Sequence, residues 1–244
     1  MQNKEEKLQR KAEYEFSIGL RLTHWVRAFA IVVLVITGYY LSYVFQNPIS
    51  NGEPVNFMQA KYRMVHQAVG FVLIACVIFK VYLFFFDRIS RKERISIVDA
   101  FNPKLWIEQI KFYLFLGKHP HLKGVYNPLQ FVTYIFFYIV MVGIILTGLI
   151  LYTHTYHEGL GGLLYEVLRP LEAALGGLAD VRTYHRILMW VILIFVPVHI
   201  YMAFFNAIKG KDGAIDAIVS GYKFVKEEKI EISCPWYRKY YVCR

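Results

Sequence analysis

Four stretches of this chain, at about 22–44, 64–86, 129–153 and 184–205, are almost wholly apolar and run for about twenty residues or more. As helices rising about 1.5 Å per residue, each would cross a hydrocarbon core of about 30 Å. A helix satisfies every backbone donor and acceptor within its own segment, which lipid demands and a single strand cannot do. The expected fold class is therefore all-α, a polytopic membrane protein built on a bundle of four transmembrane helices. With 57% of its residues hydrophobic, the chain has no room for a comparable soluble domain. The expected division is an N-terminal segment 1–21, a membrane domain 22–206 and a tail 207–244.

The first twenty residues are polar and charged and lack a small-residue cleavage site, so the first apolar run reads as a retained anchor. Lys and Arg number five in 1–21, eight in 87–128 and eight after Ala207, against two in 45–63 and two in 154–182. By the positive-inside rule both termini are expected in the cytoplasm, with 45–63 and 154–182 outside. The net charge of +10 is then a topology signal and an affinity for anionic lipid, and nucleic-acid binding is not needed to explain it. Cys76, Cys234 and Cys243 form no C-x-x-C or C-x-x-C-H motif, which argues against covalent c-type haem and cysteine-held iron–sulfur clusters.

FNPKLWIEQIKFYLFLGK (101–118) alternates apolar and charged residues at helical spacing and is expected to lie in the interface plane. The connection at 159–177 could hold a similar short helix, broken at Pro170, and 212–226 is a weaker amphipathic candidate. VITGYYLSY and IILTGLILY, in the first and third runs, hint at an internal repeat. Aligning His66 with His185 puts Lys80 in the slot of His199.

Four of the eight histidines fall within the apolar runs. His24 is near the inner end of the first, His66 near the outer end of the second, and His185 and His199 share the fourth. Fourteen residues separate the last two by about 21 Å and return them to within about 40° of one helix face. His66 can therefore face His185 at the outer level and His24 can face His199 at the inner level. A lone intramembrane histidine is commonly a core ring satisfied by a neighbouring helix. Four at two matched depths suit a bundle holding two non-covalent b haems, each with bis-histidine ligation. Structural zinc needs four ligands at one point, which that separation forbids. Thr23 and Thr183 are candidate acceptors for the second ring N–H. Arg21, Arg27, Arg63, Arg182 and Arg186 could meet haem propionates. Pro197 reads as an ordinary membrane-helix proline, and His154 and His157 as loop residues. Gly38 and Gly148 would leave room for a porphyrin or for helix packing.

RLTHWVRAFAIVVLVITGYYL, YRMVHQAVGFVL and YHRILMWVILIFVPVHIYMAF, followed by DGAIDAIVSGYKF, resemble the b-type cytochrome subunit of membrane-bound nickel–iron hydrogenases, from about Phe16 to Phe224. The resemblance implies that His24, His66, His185 and His199 are the axial ligands of two haems. It also implies that a periplasmic hydrogenase of large and small subunits passes electrons from its iron–sulfur clusters to the outer haem. The reading drawn from both lines is a dihaem cytochrome b that anchors such a hydrogenase and reduces membrane quinone. The alternatives are the membrane subunit of a formate dehydrogenase and a haem-free transporter whose histidines relay protons.

A second haem about 21 Å inward implies an acceptor on the inner side. His121 is the candidate proton relay there and Asn127 the candidate donor to a quinone carbonyl, although Asn127-Pro128 also reads as a helix start. Docking of the partner is expected on the two outer connections, helped by Glu158, Glu166, Glu172 and Asp180 or by Tyr156 and Tyr165.

Overall fold

A computed structural model describes residues 10–43, 57–114, 116, 122, 124, 126–210 and 214–226 of the chain. Their order is β1 (Arg10–Tyr14), α1 (Ile18–Ser42), α2 (Met58–Phe86), α3 (Arg91–Ala100), α4 (Pro103–Tyr113), α5 (Pro128–Thr153), α6 (Gly159–Ala174), α7 (Leu178–Gly210), α8 (Ala214–Ser220) and β2 (Tyr222–Lys226). Helices α1, α2, α5 and α7 are long and apolar enough to cross a membrane. They coincide with the four runs: α1 starts before the first and ends at Ser42, α2 starts six residues before the second, α5 matches the third to within one residue, and α7 extends past the fourth at both ends.

Local chemistry starts these helices. Ser17 accepts the Leu20 amide at the head of α1. At the head of α5, Asn127 and Gln130 exchange side-chain and backbone bonds in a capping box, with Pro128 in the first turn, where its missing N–H costs nothing. Asn102 and Pro103 begin α4 in a similar way. The bundle buries Leu73, Val77, Phe137, Val140, Met141 and Ile192 together. Its outer faces are no less apolar: Phe29, Ile78 and Ile139 are 72%, 64% and 65% exposed, as lipid-facing side chains would be.

At one end of the bundle, β1 and β2 pair antiparallel with Tyr14 opposite Tyr222. Gly221, at φ 91°, makes the left-handed turn that ends α8, and its carbonyl accepts the amides of Glu15 and Phe16. The tail is thus not the amphipathic helix expected over 212–226, and the last third of that stretch is a strand. Its partner strand lies some two hundred residues earlier, where no local periodicity can register it. Helices α3 and α4 lie at the same end, and α3 was absent from the sequence reading. Ser96 and Asp99 of α3 accept the amides of Tyr126 and Gly124 just before α5.

At the other end, α6 runs unbroken through Pro170, contrary to expectation. One lost hydrogen bond is offset by packing Leu168 onto Ile150 and Val181, with Leu164, Leu171 and Leu175 around them.

Candidate functional site

The four intramembrane histidines meet in two pairs. His66 of α2 faces His185 of α7 with ring centres 6.3 Å apart, and His24 of α1 faces His199 of α7 at 6.4 Å. An imidazole nitrogen binds a first-row metal ion at about 2.0 Å, so two rings on one ion stand with centres about 6 Å apart. The donor sets therefore fit a bis-histidine iron site at each level. Among the described residues no group of three or more His, Cys, Asp or Glu is placed to hold a metal.

Hydrogen bonding determines which nitrogen of the α6-end pair is free. Thr37 Oγ1 lies 2.8 Å from His66 Nδ1, and Thr147 Oγ1 lies 2.9 Å from His185 Nδ1. Each threonine gives its own proton to a carbonyl one turn earlier, Val33 and Gly143, both at 2.8 Å. Each Oγ1 must therefore accept from Nδ1–H, which leaves the Nε2 lone pairs free. Thr37 and Thr147, rather than Thr23 and Thr183, carry this role: Thr23 bonds Gly19 and Leu20 within its own helix, and Thr183 bonds Ala179. The sequence signal was the repeated Thr-Gly of the first and third runs. The glycines serve the same contact. A Cβ on Gly38 would stand 3.1 Å from His66 Cε1, and one on Gly148 3.2 Å from His185 Cε1. The space they leave is filled by the imidazoles.

A cavity of about 660 Å³ surrounds the His66–His185 pair, within the range of about 300–1,000 Å³ usual for cofactor sites. Gly70, one turn beyond His66, lines it with a bare backbone face, as a flat ligand would require. Arg63, Arg182 and Arg186 are all in its wall. His154 is there too, ion-paired with Glu172 at 2.7 Å. His157, Glu158, Glu166, Asp180 and Tyr156 are exposed at this end.

The second pair is built differently. His24 Nδ1 is buried without a hydrogen-bond partner. Arg27, whose guanidinium bonds the Tyr138 hydroxyl at 2.8 Å, is charged close enough to act on both His24 and His199. Tyr134 packs edge-on against His199, and Phe195 stacks on it. Arg21, which adjoins His24 in sequence, is committed elsewhere: it bonds the Val219 carbonyl of α8. Arg27 is a cation that reaches both imidazoles, and Lys80 also lies near enough to act on His24. Lys80, in the slot aligned with His199, pairs with Glu93 of α3 at 2.7 Å, and Glu93 also accepts from the Tyr126 hydroxyl at 2.9 Å.

Asn127 is almost fully buried; its Oδ1 accepts the Gln130 amide at 2.8 Å and its Nδ2 donates to the Tyr113 hydroxyl at 3.0 Å. Its helix-start reading holds, and one amide hydrogen remains. His121 lies outside the described residues, as does most of the 45–63 connection.

Residues 15–221 match the family model of the prokaryotic cytochrome b561. A Rhizobium leguminosarum bv. viciae protein described as a probable Ni/Fe-hydrogenase B-type cytochrome subunit is 30% identical over 92% of this chain and 94% of its own. An Azotobacter vinelandii protein of the same description is 33% identical over 89% and 91%. The corresponding hydrogenase 1 subunit of Escherichia coli K12 is 29% identical over 90% and 94%. Four apolar helices, the facing imidazoles and a match across nearly the whole chain agree: the chain belongs to the prokaryotic cytochrome b561 family.

Proposed function

We propose that this chain is the membrane subunit of a nickel–iron hydrogenase, holding two b haems and delivering electrons from hydrogen to membrane quinone. The observation that carries the reading is the pair of facing imidazoles at each of two levels. Haem b, when bound, supplies one-electron redox chemistry at each level. His66 and His185 hold the group at the α6 end, with Thr37 and Thr147 orienting the rings and Arg63, Arg182 and Arg186 as cations for propionates. His24 and His199 hold the group at the other end, with Arg27 beside them. The exposed α6 end is the docking surface for a periplasmic hydrogenase; the relatives' descriptions as hydrogenase subunits support a hydrogenase partner.

Hydrogen oxidised on the partner yields two electrons and two protons outside. Quinone takes two electrons and, at the termini end, two protons from the cytoplasm. The haem-free transporter has no support in a cytochrome family, and the relatives are described as hydrogenase subunits rather than formate dehydrogenase subunits.

Liposomes containing the complex should polarise, negative inside, when hydrogen and quinone are supplied; electroneutral turnover would contradict the placement of the quinone site. His66→Ala and His185→Ala should each remove one haem component, and His24→Ala and His199→Ala the other. Loss of the same component from His24→Ala and His66→Ala would overturn the pairing.

A further inference from the structure

Below the His24–His199 pair, where α4 meets the end of α7, two amides are buried without partners. Gln109 is 1% exposed and Asn206 6%, and none of their four amide atoms makes a hydrogen bond of good distance and angle. Buried polar groups are seldom left so, and a cluster of four such atoms needs an explanation. Both amides turn toward the Tyr113 hydroxyl, which already accepts from Asn127 and has one proton and one lone pair left, too few for four amide atoms. Aromatic rings close the remaining sides: Phe205 meets Tyr113 edge-on at 5.6 Å and Phe112 at 6.1 Å. Among the described residues forming the cluster there is no charge. Asn206 follows His199 by two helical turns, about 10.5 Å, and lies on the same face of α7. On its other side α4 exposes Ile107, Ile110 and Leu114, as a helix lying against lipid would.

We propose that Gln109 and Asn206, with the rings of Phe112, Tyr113 and Phe205, bind the head group of a membrane quinone. This rests on the functional reading above and names the residues of its quinone site. The chemistry is matched on both sides. A quinone head is a flat, uncharged ring with two opposed oxygens, which suits aromatic walls and excludes ionic ligands. Its carbonyl oxygens accept from amide N–H when oxidised, and its hydroxyls donate to amide oxygen when reduced. A free primary amide therefore serves both oxidation states, whereas a carboxylate or an ammonium would favour one. Asn127, whose amide is engaged in the helix cap and Tyr113, acts here by positioning Tyr113.

The test is equilibrium binding of decylubiquinone and of menadione to the oxidised complex in detergent, without hydrogen, measured by calorimetry. Gln109→Leu and Asn206→Leu should each raise Kd about tenfold, the upper worth of one neutral hydrogen bond. Haem content and Tm are measured on the same preparations, so that a loss of quinone binding is told apart from a loss of fold. Unchanged Kd in both variants, or no binding by the parent complex, overturns the proposal. If the parent binds quinone, the variants do not, and hydrogen never reduces it, the site stands and the functional reading fails. If hydrogen reduces quinone while both variants bind it as the parent does, the function stands and this site is wrong.

Discussion

Thr147 accepts the Nδ1–H of His185 at 2.9 Å while giving its own proton to Gly143, and Thr37 does the same for His66 at 2.8 Å. The two contacts occupy equivalent places in the α1–α2 and α5–α7 pairs, each followed by a glycine that admits the imidazole. This geometric echo supports the repeat between the first and third runs. Lys80 and Tyr134 break it at the other level, where the histidines sit on α1 and α7 instead.

Thr37→Val and Thr147→Val keep side-chain shape and remove the acceptor. Each should weaken haem retention at the His66–His185 level by about 10- to 100-fold, the usual cost of an orienting partner, while Thr→Ser variants should hold it. Competition with apomyoglobin followed at the haem b bands measures this. Equal retention by the valine variants would show that the rings are oriented without Oγ1.

Gly148→Ala would press a methyl group against His185 Cε1 from 3.2 Å, and Gly38→Ala against His66 from 3.1 Å. The rings can yield by a few tenths of an ångström, so alanine should shift the spectrum of that haem and retain it. Valine at either site should expel it, overpacking of this kind costing about 1–3 kcal/mol. The reading at the His24–His199 level should not change, and difference spectra of the two components check both halves.

Lys80 and Glu93 form an ion pair with side chains only 13% and 6% exposed. Glu93→Gln leaves an ammonium buried without its counter-ion, which should cost about 3–5 kcal/mol. The double variant Lys80→Met, Glu93→Leu should lose much less. A thermal melt of the four members of the cycle decides; equal losses in the single and double variants would mean that the pair contributes through shape alone.

Burial, with Glu93 beside it, pushes the Tyr126 phenol well above its ordinary value. The folded state then keeps this proton longer than the unfolded chain does. The contribution is intact below the unfolded value of about 10 and is lost as pH rises from there toward the folded one. Stability should fall above pH about 10, and Tyr126→Phe should flatten that fall; an identical alkaline profile would assign it to other groups.

Much of the bundle was legible because its cause is local. Each span's length and apolarity decide that it crosses as a helix, and each satisfies its own backbone whatever surrounds it. The depths of His24, His66, His185 and His199 follow from counting residues along those spans at a constant rise, and the Asn-Pro start of α5 from the chemistry of the first turn. What the tertiary structure decided is rotation and long-range pairing. A membrane helix is as apolar toward lipid as toward its neighbours, so its periodicity does not say which face turns inward. That is why Thr37 and Thr147, and not Thr23 or Thr183, reach the imidazoles, and why Arg27 rather than Arg21 stands beside His24. It is also why Gln109 and Asn206, on helices far apart in sequence, close on one hydroxyl, and why β1 finds β2 across the length of the chain.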